Sequence, residues 1–294
     1  MNKRSVLITG CSSGIGWATA AEMAARNWRI FATARNSEDM QRIEEEGWNA
    51  VTLDVSSSDS IAQAVATVLD ATDGALDGVV NNAGFGMPGA IEDLSREAMQ
   101  RQFEVNLFGA LELTNLLLPA LRKGPQGRVV YISSLVGRMS LPFMGIYSAS
   151  KFALEAVADA QRIELSMTPV RVVLIAPGPI GTLFSSTCAT EGKSRLDLHR
   201  SRFSTAYERY FKQRRGGGMS EDRFRLPPEA VAKKVAHALI SDRPKVRYLV
   251  TLPTYVADFL VRFVPPHREF YRTNFHNLSP AGDRRIARGP IDAD

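Results

Sequence analysis

The chain has 294 residues, of which 45% are hydrophobic and 23% charged, enough to bury a sizeable core without covalent staples. Its two cysteines, Cys11 and Cys188, exclude a disulfide framework and make a reducing compartment the expectation. The formal net charge is +5, but Ser185–Pro227 carries it, with ten Lys/Arg against five Asp/Glu and no nucleic-acid-binding motif, so nucleic acid is not the expected partner.

Met1-Asn2-Lys3-Arg4 leads into the apolar run Ser5–Thr9, too short for a signal-peptide core or a membrane span. The expectation is a cytoplasmic protein whose first strand begins there. Short β-branched runs follow at Arg29–Thr33, Ala50–Leu53, Gly78–Val80, Arg128–Ile132, Val170–Ile175 and Arg247–Thr251. Helical patterns lie between them, at Gly14–Asn27, Arg96–Leu121 and Tyr147–Met167 among others. Apolar strands separated by crossover helices predict an α/β fold. The expected form is a single doubly wound Rossmann-type domain over residues 1–252, with a seven-stranded parallel sheet and helices on both faces.

Two segments interrupt the alternation. Residues 183–226 form a polar, basic insertion containing Gly216-Gly217-Gly218, expected to be a substrate loop because long loops in compact domains are functional or disordered. Residues 253–294 form a C-terminal extension expected to pack on the domain. It contains the apolar run Tyr255–Val264, with Asp258 and Arg262 four apart, then Pro265-Pro266 and a polar tail whose last residues are expected to be flexible. The apolar run is too short to cross a bilayer; it can lie on a membrane surface or against another subunit.

Thr9-Gly10-Cys11-Ser12-Ser13-Gly14-Ile15-Gly16 joins the first strand to the first helix. Its glycines let the backbone turn sharply and approach a pyrophosphate at a helix N-terminus. Alone, the same residues also suit an ordinary tight turn, and the spacing Gly-x3-Gly-x-Gly departs from the commoner Gly-x-Gly-x2-Gly. Asn81-Asn82-Ala83-Gly84 ends the fourth strand, and Asn106 lies within Val105-Asn106-Leu107-Phe108-Gly109. Ser133-Ser134 ends the fifth strand, Tyr147-Ser148-Ala149-Ser150-Lys151 opens a helix, and Pro177-Gly178-Pro179-Ile180-Gly181-Thr182 follows the sixth strand. Tyr147 and Lys151, four apart, share one helix face. A phenol near pKa 10 is a poor base at neutrality, and a neighbouring ammonium lowers that value. Such a pair also occurs on ordinary helix surfaces.

Taken together over residues 9–182 and in this order, these motifs resemble the short-chain dehydrogenase/reductase family. Asn82–Met87 and Pro244–Tyr248 look like a bacterial branch of NADP-linked aldehyde reductases, itself similar to retinol and 17β-hydroxysteroid dehydrogenases. The resemblance implies a catalytic set of Asn106, Ser134, Tyr147 and Lys151. Ser134 precedes Tyr147 by 13 residues, the family's spacing, and would donate to the substrate oxygen. Ser133 is the neighbouring alternative and should point the other way if the strand stays regular. Asn106 would hold a water through its backbone, or simply kink its helix. The implied reaction is hydride transfer at nicotinamide C4 with Tyr147 giving or taking the proton, and Lys151 also bonding the nicotinamide ribose. No metal is expected; His199, His237, His267 and His276 lack ligand spacing.

The implied cofactor contacts are Gly10, Ser12, Ser13, Gly14, Ile15 and Gly16 in the first turn, Arg35, Asp54 and Val55, Asn82, Ala83 and Gly84, Tyr147 and Lys151, and Pro177, Gly178, Ile180 and Thr182. The second strand ends Phe31-Ala32-Thr33-Ala34-Arg35-Asn36, without the acid that accepts from a ribose 2′-hydroxyl. Arg35 can pair with a 2′-phosphate instead, so NADP(H) is favoured over NAD(H). A solvated Arg35 and a helix-capping Asp54 are the plainer alternatives. Phe85, Met87, Leu135, Leu141, Phe143, Met144, Leu183 and Phe184 predict a pocket for a lipophilic aldehyde, ketone or sterol-like alcohol; they could equally anchor the insertion. The resemblance also implies a homo-oligomer, dimer or tetramer. A non-catalytic NADP-binding regulator on the same fold stays open.

Overall fold

Seven strands are laid down in the order they are made on one side of the first strand and then on the other. In the computed structural model, which describes residues 3–198, 200–215 and 224–263, they are β1 (Ser5–Ile8), β2 (Arg29–Ala34), β3 (Asn49–Thr52), β4 (Gly78–Asn81), β5 (Arg128–Ile132), β6 (Arg171–Ala176) and β7 (Arg247–Leu249). The sheet order is β3-β2-β1-β4-β5-β6-β7, and every pairing is parallel. The helices are α1 (Gly14–Ala24), α2 (Ser37–Glu45), α3 (Ser58–Ala71), α4 (Arg96–Phe103), α5 (Gly109–Leu121), α6 (Gly145–Glu164), α7 (Phe184–Arg195), α8 (Ser204–Arg215), α9 (Pro228–Ile240) and α10 (Leu252–Phe263). The expected doubly wound α/β sheet is therefore present.

Alternation along the strands divides the core in two. Leu7, Phe31, Val79 and Val129 face α3, α5 and α6. Val6, Ile8, Val80 and Val130 face α1 and α9. Both faces are covered, which is why the strands read as unbroken apolar runs rather than alternating ones. The chain leaves β1 toward β2 and returns to β4 on its other side, so the loops after β1 and β4 diverge and open a crevice at their carboxyl ends.

Three elements differ from the sequence expectation. The helix expected over Arg96–Leu121 is divided by a π-helical turn at Glu104–Phe108. The helix expected to reach Asn27 ends at Ala24, and Asn27 takes a left-handed φ of 63° just beyond it. The insertion expected as a loop contains α7 and α8. Phe203, Tyr207, Tyr210 and Phe211 recur at helical spacing and form a third apolar cluster with Phe85, Phe143 and Met144. Interleaved charges hide that stripe from a composition reading. Gly216-Gly217-Gly218, Val264, the Pro265-Pro266 pair and the polar tail lie outside the described residues. No helix among the described residues is long and apolar enough to cross a membrane.

Arg128 is a fold determinant that periodicity does not reveal. It is 1% exposed, and its guanidinium donates to Ala238 O at 3.2 Å, Ser241 O at 2.8 Å and Gly127 O at 3.1 Å. It thereby ties β5 to the carbonyl end of α9, where a cation is favoured. Arg128→Met keeps the apolar stem but leaves those carbonyls unpaired, so it is expected to cost about 3 kcal/mol. Urea unfolding measures this; a loss under ~0.5 kcal/mol would mean that the carbonyls find other donors.

Candidate functional site

The crevice is a cleft of about 640 Å³. Its floor is a hydrogen-bonded knot between the β1 and β4 turns. Thr9 Oγ1 accepts from the backbone N–H groups of Asn82 (2.9 Å) and Ala83 (2.8 Å). Asn82 Nδ2 returns to Thr9 O at 2.8 Å and Gly10 O at 3.0 Å. Gly10 holds φ at 70° and Gly14 at 60°, and a Cβ on Gly10 would come within 3.0 Å of Ala83 Cα. Gly16 stands behind the turn, where a Cβ would meet Gly10 O and Asn82 Nδ2. The Ser13 side chain makes no capping bond to α1, so the first-turn N–H groups remain available to an anion. Narrow, glycine-walled and rich in N–H donors, this cradle fits the pyrophosphate of a dinucleotide.

Most of the expected cofactor residues line the cleft: Gly10, Ser12, Ser13, Gly14, Ile15, Arg35, Asp54, Val55, Asn82, Ala83, Gly84, Tyr147, Lys151, Pro177, Gly178, Ile180 and Thr182. Arg35 is exposed at the end of β2. Asp54 also serves its own turn, accepting from Ser56 N at 2.9 Å and Ser56 Oγ at 2.7 Å. Burial alone would raise its pKa; the Ser56 bonds and the charges of Arg35 and Arg101 outweigh that and hold it below the usual carboxylate range.

Tyr147 lies in the first turn of α6 and is 7% exposed. Burial pushes its phenol well above the ordinary value, and a hydrogen bond with the Ser134 side chain opposes the rise. Lys151, one turn on, is 5% exposed; its Nζ donates to Ile132 O at 2.8 Å and lies 6.0 Å from the Tyr147 ring centre. Burial lowers its pKa to about 8, with Glu155 opposing. The expected lowering of the phenol by this ammonium is not among the influences on Tyr147; desolvation is the largest. Ser134 lines the cleft and accepts from Val136 N at 3.3 Å. Ser133 borders the cleft as well, but its Oγ is buried without a hydrogen-bond partner among the described residues, and a Cβ on Gly137 would lie 2.7 Å from it.

Asn106 is drawn in behind the cleft. Its Oδ1 accepts from Phe85 N at 3.0 Å, and its Nδ2 donates to Phe85 O at 2.9 Å and Ser150 Oγ at 3.2 Å. The side chain therefore fastens the loop after β4 to α6 from within the π-turn, a placement common at functional sites. Sequence reasoning missed Gln102, which clamps the same loop through Met87 N (2.6 Å) and Phe85 O (2.8 Å). The signal was two amides four apart on one helix face.

Of the expected pocket residues, Phe85, Leu135, Leu141, Met144, Leu183 and Phe184 line the cleft. Met87 and Phe143 do not. Met87 is fully buried, and Phe143, at a left-handed φ of 60°, is boxed by Phe203, Tyr207 and Tyr210 at ring distances of 5.8, 5.0 and 5.7 Å. Both support the pocket rather than face it. Phe184 packs on Tyr147 at 5.5 Å, and Tyr210, also lining the cleft, donates to Met144 Sδ at 3.1 Å. Tyr207 anchors α8 by donating to Asp93 Oδ2 at 2.6 Å. His237 Nδ1 is 2.7 Å from Tyr248 Oη; the other three histidines lie outside the described residues. Among the described residues, no three His, Cys, Asp or Glu side chains gather as a metal site would require.

The pKa of Lys151 has a measurable consequence. Its folded value of about 8 lies below the ordinary 10.5, so between those values the unfolded chain binds more protons. Stability must therefore rise with pH across that window, and the full cost of burying the ammonium, on the order of 3 kcal/mol, applies below it. Lys151→Met should flatten this rise in a series of urea titrations from pH 7 to 10.5. An equally steep rise in the variant would assign the effect to another group.

The cleft belongs to a recognisable lineage. The family described as short chain dehydrogenase matches residues 4–191. The uncharacterized oxidoreductase YbbO of Escherichia coli strain K12 is 42% identical over 263 residues, 90% of this chain and 91% of that protein. The NADPH-dependent 3-dehydrocapnine reductase of Ornithobacterium rhinotracheale is 35% identical over 84% of this chain and 88% of its own. The solved short-chain dehydrogenase from Streptomyces avermitilis superposes with a TM-score of 0.74 at 25% identity, covering 96% of this chain and 99% of that one.

Proposed function

The chain belongs to the short-chain dehydrogenase family, and from that premise we propose that it is an NADP(H)-dependent oxidoreductase interconverting a lipophilic aldehyde or ketone and its alcohol. One observation carries this reading: Ser134, Tyr147 and Lys151 all line the cleft, with Tyr147 hydrogen-bonded to Ser134 and packed against Phe184. A nicotinamide cofactor, when bound, supplies or accepts the hydride. Ser12, Ser13 and the first-turn N–H groups would hold its pyrophosphate, Asp54 and Val55 its adenine end, Arg35 a 2′-phosphate, and Ile180 and Thr182 the opposite end of the cleft.

The remaining chemistry falls to the chain's own residues. Ser134 offers a hydroxyl to the substrate oxygen as negative charge develops there. Tyr147 gives its proton to that oxygen during reduction, and its raised pKa keeps it protonated at neutral pH. Lys151 commits one N–H to Ile132 O and retains two for the cleft. Leu141, Met144 and Phe184 keep the reacting carbon in an apolar, water-poor setting. The relative named an NADPH-dependent reductase supports the cofactor assignment. The motifs also favour the aldehyde reductase branch similar to retinol and 17β-hydroxysteroid dehydrogenases. In this reading residues 1–252 are the catalytic domain, 183–226 a substrate lid, and the protein a cytoplasmic homo-oligomer.

Tyr147→Phe is expected to lower kcat by at least ~10²-fold with a panel of lipophilic carbonyls while NADPH binding changes little, because the phenol acts on substrate. Near-normal turnover would sink the assignment. Arg35→Asp should lose a charge-assisted contact with the 2′-phosphate and add a repulsive carboxylate. The kcat/KM preference should move toward NADH by about one to two orders of magnitude. A wild type that already prefers NADH, or an unchanged preference in the variant, would remove Arg35 from cofactor selection.

A further inference from the structure

The end of the cleft that holds Arg35 also holds a carboxylate. Asp39, in the first turn of α2, borders the cleft together with Arg35 and Asn36. An acid at this point of a dinucleotide fold accepts from a ribose 2′-hydroxyl and repels a 2′-phosphate, so an open Asp39 would work against Arg35. Both of its oxygens are engaged instead. Asn36 Nδ2 donates to Asp39 Oδ2 at 2.8 Å, and Asp39 N donates to Asn36 Oδ1 at 2.8 Å. Arg42 Nη1 donates to Asp39 Oδ1 at 3.0 Å. Arg42 is in turn fixed from outside its own helix. Its guanidinium stands 4.9 Å from the Trp17 ring centre on α1, and Trp17 packs on Trp48 at 5.0 Å. Arg42 Nη1 also lies 3.4 Å from Ser12 O in the glycine turn. Asn36, Asp39, Arg42 and Ser12 thus form one chain of contacts from the start of α2 to the anion cradle.

We propose that Arg42 is a positioning residue for cofactor choice: it holds the Asp39 carboxylate and takes up its charge, so that a 2′-phosphate meets Arg35 without a competing anion. The proposal rests on the reading of the cleft as a dinucleotide site with Arg35 at its 2′-phosphate end. Arg42 acts through Asp39, not on the nucleotide. A carboxylate with a donor on each oxygen is a poorer acceptor for a sugar hydroxyl, and a paired charge repels a phosphate less than a bare one. The Asp39 side chain is only 18% exposed, so solvent and salt screen it incompletely and the cation beside it decides how much of its charge the cleft feels. An ion pair between residues three apart on a helix surface is ordinary by itself. The stack on Trp17 and the contact with Ser12 are what set this pair apart, because they hold the guanidinium in one place beside the cradle.

The readout is the ratio of the Kd for NADH to the Kd for NADPH, from calorimetric titration of the full chain, which needs no turnover. Arg42→Met frees the carboxylate, so the ratio should fall by about three- to tenfold. Arg42→Lys retains the charge and should retain the preference. Asp39→Asn removes the charge, so its ratio should not fall below that of the wild type. In the Asp39→Asn background, Arg42→Met should leave the ratio unchanged, because no charge remains for Arg42 to take up. An Arg42 that only braced α2 against α1 would weaken both nucleotides alike and leave the ratio in place. An Arg42 that met the 2′-phosphate itself would shift the ratio equally in both backgrounds. Either result would overturn the proposal, as would a lower ratio in Asp39→Asn. A wild type that prefers NADH, and moves further toward it in Arg42→Met, would support the proposal while failing the reading of Arg35. Binding of neither nucleotide would fail both. If Arg42→Met does not fold, Arg42→Gln is the second variant, with the same expected fall.

Discussion

Thr9 and Asn82 exchange hydrogen bonds across the point where the strand order reverses. Thr9 Oγ1 takes the N–H groups of Asn82 and Ala83, and the Asn82 amide takes the carbonyls of Thr9 and Gly10. These contacts fix the separation of the β1 and β4 turns and therefore the width of the cleft. They also explain why Gly16 carries no side chain, since a Cβ would collide with two members of the knot. The cradle for an anion, the position of α1 and the placement of the loop after β4 all follow from this one set of bonds.

Desolvation governs the wall of the cleft that carries Tyr147 and Lys151. It acts on the neutral-to-charged balance of both groups but in opposite directions on their pKa values, raising the Tyr147 phenol and lowering the Lys151 amine. Both residues are thereby biased toward their uncharged forms. In the proposed reaction, where Tyr147 would give a proton to a carbonyl, the bias keeps that proton in place until transfer. For Lys151 the same bias opposes the ammonium form, and the charge of Glu155 acts against it. Active sites commonly keep such opposed tendencies close to balance.

The substrate end is built differently. Asn106 and Gln102, one turn apart across the junction of α4 and the π-turn, grip the backbone of Phe85 and Met87. The aromatic face of α8 closes over Phe143 and Met144 from the other side. The shape of this end of the cleft therefore depends on Asn106 and Gln102 behind it and on the aromatic face of α8.

Much of this was legible from residue order alone. Strands buried on both faces have to be apolar throughout, so their positions stand out as continuous runs. The glycine turn, the Tyr147-Lys151 pair one turn apart on α6 and the missing acid after β2 are local patterns, each set within a few residues of one element. Such features are encoded where they act. Other features arise only when distant segments meet. Arg128 reads as a strand-edge cation until α9 brings its carbonyls across, 110 residues away. Met87 and Phe143 read as pocket residues until Gln102 and α8 turn them inward. Glu155 is an ordinary helix acid until β7 places Arg247 against it, 92 residues away. Local chemistry and periodicity are properties of the chain itself. Burial, and the pKa values and charge partnerships that burial creates, depend on which surfaces the fold removes from water, and that is decided only by the tertiary structure.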